Sequence, residues 1–199
     1  MLNPGGGNGA RDGLADVAYA IDHGTFRRPD LYDLDRHLRY IDLHAPYADR
    51  CLFVTAPDVL GDPIGTWEPA RPVLAAIRQR GFPAALVAQD GIDWRTLDWP
   101  AVDCVFVGGS TEWKLSEAAY AVAAEAHQRG KWVHLGRVNS YRRLRAGRVS
   151  LYDSADGTFL AFGRDRNLPQ LLRWLDDINA QSPLLRASLL PGRATLHPV

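Results

Sequence analysis

The stretch Ala84-Ala85-Leu86-Val87-Ala88-Gln89-Asp90-Gly91 decides how the rest of the sequence reads. An apolar run without alternation breaks abruptly into an amide, an acid and a glycine. Such a run suits a parallel strand covered on both faces, because a strand with one wet face alternates. Comparable runs recur at residues 17–21, 52–55, 104–107, 132–135 and 149–152, and residues 1–3 offer a seventh. Amphipathic stretches between them predict helices over 31–45, 69–80, 115–129, 140–146 and 168–179. Strand-helix alternation predicts an α/β fold with right-handed crossovers. Two architectures fit it, a doubly wound sheet or a compact, trimmed (β/α) TIM-like barrel. A full barrel takes about 250 residues, and the chain has 199. Residues 1–180 are expected to form the domain and 181–199, with three Pro, a tail or arm.

Composition excludes several classes. A 46% hydrophobic fraction and six Trp argue against disorder. No apolar run approaches the ~20 residues that span a bilayer, and the first residues lack the basic and apolar regions of a signal peptide. Cys51 and Cys104 are too few for a disulfide scaffold or a four-cysteine zinc site. A reduced, cytoplasmic protein without membrane association is expected. Lys+Arg and Asp+Glu both number 23, so no global charge advertises a polyanion partner. All the Lys and Arg residues but Lys114 and Lys131 are Arg. Genome composition alone can produce that bias, yet Arg also offers phosphate a planar fork that Lys lacks.

The residues just beyond each strand are more informative. The apolar runs end in Asp22-His23-Gly24, Ala56-Pro57-Asp58, Gln89-Asp90-Gly91, Gly108-Gly109-Ser110, Gly136-Arg137-Val138-Asn139 and Asp153-Ser154-Ala155-Asp156-Gly157. Both architectures bind ligands at the carboxyl ends of their strands. Asp and Gly also end strands merely as turn formers. That accounts for single cases better than for the recurrence of acids, an amide and a glycine pair with almost no Lys nearby.

At these residues the sequence resembles the tRNA-guanine transglycosylase superfamily, in particular its shortened phage and bacterial branch, the 7-deazaguanine DNA transglycosylases. The likeness rests on six blocks in order, from Ala20-Ile21-Asp22-His23-Gly24-Thr25-Phe26 through Phe53-Val54-Thr55-Ala56-Pro57-Asp58 and Ala85-Leu86-Val87-Ala88-Gln89-Asp90-Gly91. It continues through Val107-Gly108-Gly109-Ser110-Thr111-Glu112-Trp113-Lys114 and Trp132-Val133-His134-Leu135-Gly136-Arg137-Val138-Asn139 to Asp153-Ser154-Ala155-Asp156-Gly157-Thr158. The resemblance implies a (β/α) barrel and base exchange on an intact polynucleotide, here DNA with tRNA as the alternative, and a free 7-deazaguanine base as second substrate. By position it implies Asp156 as nucleophile and Asp22 as acid/base. It implies Asp58, Gln89 and Asp153 around the base, with Gly108 and Gly109 offering backbone N–H groups to the base carbonyl. The block after Asp22 departs from the family pattern, reading His23-Gly24-Thr25-Phe26 where relatives read closer to Ser-Gly-Gly-Phe. No cofactor is implied, and the zinc subdomain of the tRNA enzymes is missing, since nothing beyond Cys104 is Cys.

The segment Arg137 to Arg148 holds Arg137, Arg142, Arg143, Arg145 and Arg148 with no acid. Most charge runs are solvated helix faces; in this family context the run, with Asn139, reads as phosphate contact, and Tyr141 as a stacking surface. Arg27 and Arg28 are weaker companions. His134, inside an apolar strand, reads as a core residue, and His23 as a turn or site residue. Trp113 and Lys114 read as pocket cover or rim packing. Gly5-Gly6-Gly7 lacks a phosphate-loop ending and reads as a loop. A homodimer or an accessory protein remains open as a partner, as does a catalytically silent nucleic-acid-binding module.

Overall fold

A computed structural model describes residues 1–4, 14, 16–25, 28–147 and 151–189. Gly5, Gly6, Gly7, Phe26, Arg27, Arg148 and residues 149–150 and 190–199 lie outside the described residues. Six strands form one sheet: β1 (Tyr19–Ile21), β2 (Cys51–Thr55), β3 (Ala84–Ala88), β4 (Cys104–Val107), β5 (Trp132–Leu135) and β6 (Ser154–Ala155). All neighbouring pairs are parallel, and the spatial order is the chain order. A doubly wound sheet must reverse its order at a switch point. None occurs here, so the winding is that of a barrel. Residues 1–3 contribute a single parallel bridge, Leu2 to Ile21, on the outer edge of β1.

The sheet curls. Phe53 on β2 and His134 on β5 are three strands apart, about 14 Å in a flat sheet. Their ring centroids are 4.9 Å apart, and the Phe106 ring on β4 lies 4.6 Å from His134. Ala20, Phe53, Ala85, Val87, Cys104 and Phe106 form the cluster on this concave face. The residues alternating with them (Ile21, Val54, Leu86, Val105, Val107, Val133 and Leu135) join a second core beneath the helices. This two-sided burial is why the strands read as unbroken apolar runs. The result is a parallel half-barrel.

Helix α1 (Leu34–Asp42) starts at Asp33, whose carboxylate accepts from the Arg36 amide. Helix α2 (Pro63–Gln79) starts at Asp62, six residues before the expected beginning. Pro69 and Pro72 lie inside it on the exposed side, where water can satisfy the carbonyls that lose their N–H partners. Thr66, Ala70, Val73, Leu74 and Ile77 line its buried stripe. The single helix expected over 115–129 is two, α3 (Thr111–Lys114) and α4 (Glu117–Gln128). Ser116 is extended, and its hydroxyl caps α4. After α5 (Tyr141–Gly147), α6 runs from Arg164 to Leu189, so the expected tail is helical as far as Leu189. No glycine interrupts it, and Pro183 removes only one N–H. Among the described residues no helix is long and apolar enough to cross a membrane.

Of the strand expected at 149–152, residues 149–150 lie outside the described residues and Leu151 and Tyr152 are not in a strand; the sixth strand is Ser154–Ala155, where His134 pairs with Ser154 and Leu135 with Ala155. Leu151 and Tyr152 pack instead against the outer core.

On α1, His37 is buried, takes the Tyr32 hydroxyl at 3.1 Å on Nδ1 and has no partner for Nε2 among the described residues. Burial, helped by the charge of His23, brings its pKa down to about 4. Between pH 6.5 and 4 the unfolded chain therefore binds a proton at His37 that the folded chain refuses, so stability falls as pH falls through this window. Chemical denaturation across it should show a slope on the order of 1 kcal/mol per pH unit from this residue. His37→Phe should lose that part of the slope.

Candidate active site at the carboxyl ends of the strands

Strand alternation aims the site. Asp22 follows Ala20 by two residues, Gln89 follows Val87, Gly108 follows Phe106, Gly136 follows His134 and Asp156 follows Ser154. Each first member lies on the concave face, so each second member continues that face at the mouth.

Asp58, Gln89 and His23 form one buried network, although they come from three different loops. Gln89 Nε2 donates to Asp58 Oδ2 at 2.6 Å, and the Gly61 amide donates to Gln89 Oε1 at 3.0 Å. His23 Nε2 lies 2.7 Å from Asp58 Oδ1 and its Nδ1 2.8 Å from the Thr25 hydroxyl. An ionised carboxylate only accepts, so Nε2 carries the proton and Nδ1 accepts from Thr25. The His23 amide donates to Thr55 Oγ1 at 3.0 Å, tying the β1 loop to the end of β2. Asp22 is half-exposed beside this network, and its carboxylate accepts from the Gly24 amide.

Asp156 sits at the other end of the sheet with its own partners. The His134 side chain, packed against Phe53 and Phe106, reaches Asp156 Oδ1 at 3.3 Å through Nε2. A donor chain fixes the His134 tautomer. The Trp132 indole can only donate, and it does so to Ser154 Oγ at 2.8 Å. The Ser154 hydroxyl lies 2.8 Å from His134 Nδ1 and gives it its proton, which leaves the Nε2 proton for Asp156. The Arg137 amide donates to the same Oδ1 at 2.8 Å. Burial alone would push the Asp156 carboxyl up. The His134 N–H and the Arg137 amide, with smaller electrostatic attraction from the His134 ring and the Met1 amino group, outweigh it and hold the carboxyl below its usual range. Leu2 is bonded to β1 on both sides, Leu2 N to Ala20 O and Asp22 N to Leu2 O.

Several expected site residues take other roles. Asp153 is at the wrong end of β6: its carboxylate accepts from the Val133 amide at 2.8 Å, at the start of β5, and it raises the pKa of buried Cys104 alongside the larger effect of burial. Two strand residues separate it from Asp156 and place the two acids at opposite ends. The Gly108 amide is not free for a base, since it donates to Ala88 O at 3.0 Å. A Cβ on Gly108 would meet Val87 Cγ1 at 2.7 Å, and one on Gly109 would strike Asp90 and the Trp113 ring. The glycine pair is thus required by packing, and only the Gly109 amide has no acceptor among the described residues. Asn139 is committed to Thr158, accepting from its amide at 2.6 Å and donating to its hydroxyl. The Tyr141 hydroxyl donates to Asp177 and its ring meets Trp174 on α6 at a tilt, with the residue half-buried. Arg143 is half-buried against Arg137 O. The Arg137 guanidinium donates to Gly109 O. Arg142 and Arg145 are exposed. Arg28 is exposed too and pairs with Asp30 at 2.7 Å.

Three contributors are not legible as site residues in the sequence: Thr55, His134 and the Arg137 amide. His134 carries a usable signal, its shared parity with Gly136 on a strand ending at the mouth. Trp113 is half-buried and lines, with Trp94, an open cavity of about 470 Å³ beside the mouth. Among the described residues no three His, Cys, Asp or Glu side chains gather as a metal site.

No family model matches the chain, and no curated protein matches it. Among solved structures it is similar to tryptophan synthase from M. tuberculosis in an aminoacrylate- and BRD0059-bound form, at 16% identity and a TM-score of 0.47. The match covers 87% of this chain and 61% of that one, so the chain spans less than two thirds of that protein's length.

The geometry predicts how Asp156 titrates. His134→Phe keeps the aromatic packing between Phe53 and Phe106 but strips the Nε2 donor. The Asp156 midpoint, followed by carboxyl carbon NMR, should rise by about one unit, whereas an unchanged midpoint would mean that His134 does not hold the carboxylate.

Proposed function

We propose that the chain is a base-exchanging glycosyltransferase that replaces guanine in DNA by a 7-deazaguanine base through a covalent bond to Asp156. The observation that carries the reading is the state of Asp156: ionised, at the mouth, with one oxygen held by two donors and the other without a hydrogen-bond partner among the described residues. A carboxylate so held suits attack on a sugar carbon that develops oxocarbenium character.

In the first step an Asp156 oxygen bonds to C1′ of the deoxyribose while the C1′–N9 bond breaks, and the electron pair leaves with the guanine. Asp22 supplies the proton that the departing base takes up. In the second step Asp22, now a carboxylate, takes the N9 proton of the incoming deazaguanine. Its N9 then attacks C1′ and releases the Asp156 carboxylate. Asp58 and Gln89 are assigned to the edge of a guanine-like ring, which requires that the Gln89–Asp58 and Gly61–Gln89 hydrogen bonds open to exchange these partners for the base. The Gly109 amide, which has no acceptor among the described residues, adds a donor. Water must be kept from the intermediate, since its attack would leave an abasic site. In duplex DNA the target must be flipped out of the stack before C1′ is reached.

Exchange of labelled guanine into single-stranded DNA and into tRNA tests the reading and separates the two substrates. Asp156→Asn should abolish exchange, and Asp22→Asn should slow it by roughly a hundredfold. Asp156→Asn protein that exchanges like wild type would refute the covalent mechanism.

Phosphate contact is assigned to the outward side of α5. Reversing Arg142 and Arg145 to Glu should weaken DNA binding and make its dependence on salt concentration shallower by about one phosphate contact for each lost cation. Unchanged affinity and slope would remove α5 from the interface.

A further inference from the structure

Lys114 is one of only two lysines in the chain, and it is buried. Its ammonium donates to Gly136 O at 2.7 Å. The next amide along the chain, Arg137 N, donates to Asp156 Oδ1 at 2.8 Å. These are the two ends of one peptide group. We propose that Lys114 is a positioning residue for Asp156, acting through the peptide that joins Gly136 to Arg137.

The physical link is the planarity and resonance of that peptide. A charge on its carbonyl oxygen fixes the peptide plane and withdraws density from nitrogen, which makes the N–H a stronger donor to a carboxylate. The peptide also needs holding. Arg137 stands at φ +59°, a conformation that a long side chain rarely adopts. Lys114 on the carbonyl, Asp156 on the N–H and the Arg137 guanidinium on Gly109 O fix it from three sides. A cavity of about 10 Å³ beside Lys114, lined in part by Leu135, Val138 and Arg143, has room for at most one water. Bulk solvent therefore does not replace the carbonyl as partner of the ammonium.

The groups facing Lys114 are Arg137 after β5, Arg143 on α5, Asp156 after β6 and Asp90 after β3. Burial first, then the two arginines, bring the lysine down to about 8, against the opposing pull of Asp156 and Asp90. Below that pH the ammonium braces the peptide. Above it the amine is neutral and the brace weakens. The attraction between Lys114 and Asp156 is reciprocal, so loss of the charge must raise the Asp156 pKa.

The consequence for catalysis rests on the reading of Asp156 as nucleophile; the coupling itself does not, and two measurements keep them apart. In the first, the Arg137 amide and the Asp156 carboxyl are followed by NMR across pH in the wild-type chain. The amide should show an acid inflection from Asp156 and a second near pH 8 from Lys114. Lys114→Met should erase the second and move the first upward, while Lys114→Gln, which keeps a donor without its charge, should fall between them. An Arg137 amide that is blind to pH between about 7 and 9 in the wild type overturns the proposal, even if neither variant folds. In the second, guanine exchange on a single-stranded oligonucleotide should lose roughly ten- to hundredfold in kcat in Lys114→Met, with KM little changed and the acid limb at higher pH. A wild type that shows both inflections but exchanges no base refutes the proposed function and leaves the Lys114 coupling standing. Exchange without the second inflection does the reverse.

Discussion

His134 and Ser154 stand opposite each other on neighbouring strands, and the hydrogen bond between their side chains organises the mouth of the half-barrel. It orients the imidazole against two phenylalanine rings and, with the Trp132 indole behind it, leaves the Nε2 proton facing Asp156. It also defines the register of the last strand, which is only two residues long. A slip of one residue would turn Ser154 away from the concave face and carry Asp156 out of reach of both its donors.

The carboxylates of the mouth illustrate how burial is made tolerable. An unpaired buried carboxylate is strongly disfavoured. Asp58 meets this with an imidazole and an amide, and Asp156 with an imidazole and a backbone N–H. In both cases the partners arrive from different loops, so satisfying the acids also pins those loops together. Asp156 commits only one of its oxygens to these contacts. Both oxygens of Asp58 are taken, one by His23 and one by Gln89. The positive-φ backbone at Arg137 sits at the same point, beside the peptide whose amide meets the acid and whose carbonyl meets Lys114.

Much of this is legible in the chain itself. The strands at 84–88, 104–107 and 132–135 are bounded correctly by the sequence because apolar runs buried on both faces end sharply at the first polar residue. The same reasoning finds Asp58, Gln89 and Asp156 as mouth residues. The failures share a cause. Residues 149–152 look more like a strand than Ser154–Ala155, because hydrophobicity records burial and not pairing. Asp153 and Asp156, three apart, look like companions until the strand between them separates them. Ser116 reads as helix, although its hydroxyl caps a new one. Asn139 and Tyr141 read as nucleic-acid contacts, and the structure adds partners for both in Thr158 and α6. No local pattern announces such distant partners.

Alternation of apolar runs with amphipathic stretches, and polar residues at the run ends, determined the α/β class and the end of the sheet where the polar side chains gather. These are local properties, set by which atoms must leave water. Tertiary structure alone decided that the sheet winds as a barrel rather than reversing, which acids share the mouth, and which donors hold them. Those outcomes depend on register and curvature. Both are fixed by contacts between residues far apart in the chain, such as Phe53 with His134 and Lys114 with Gly136.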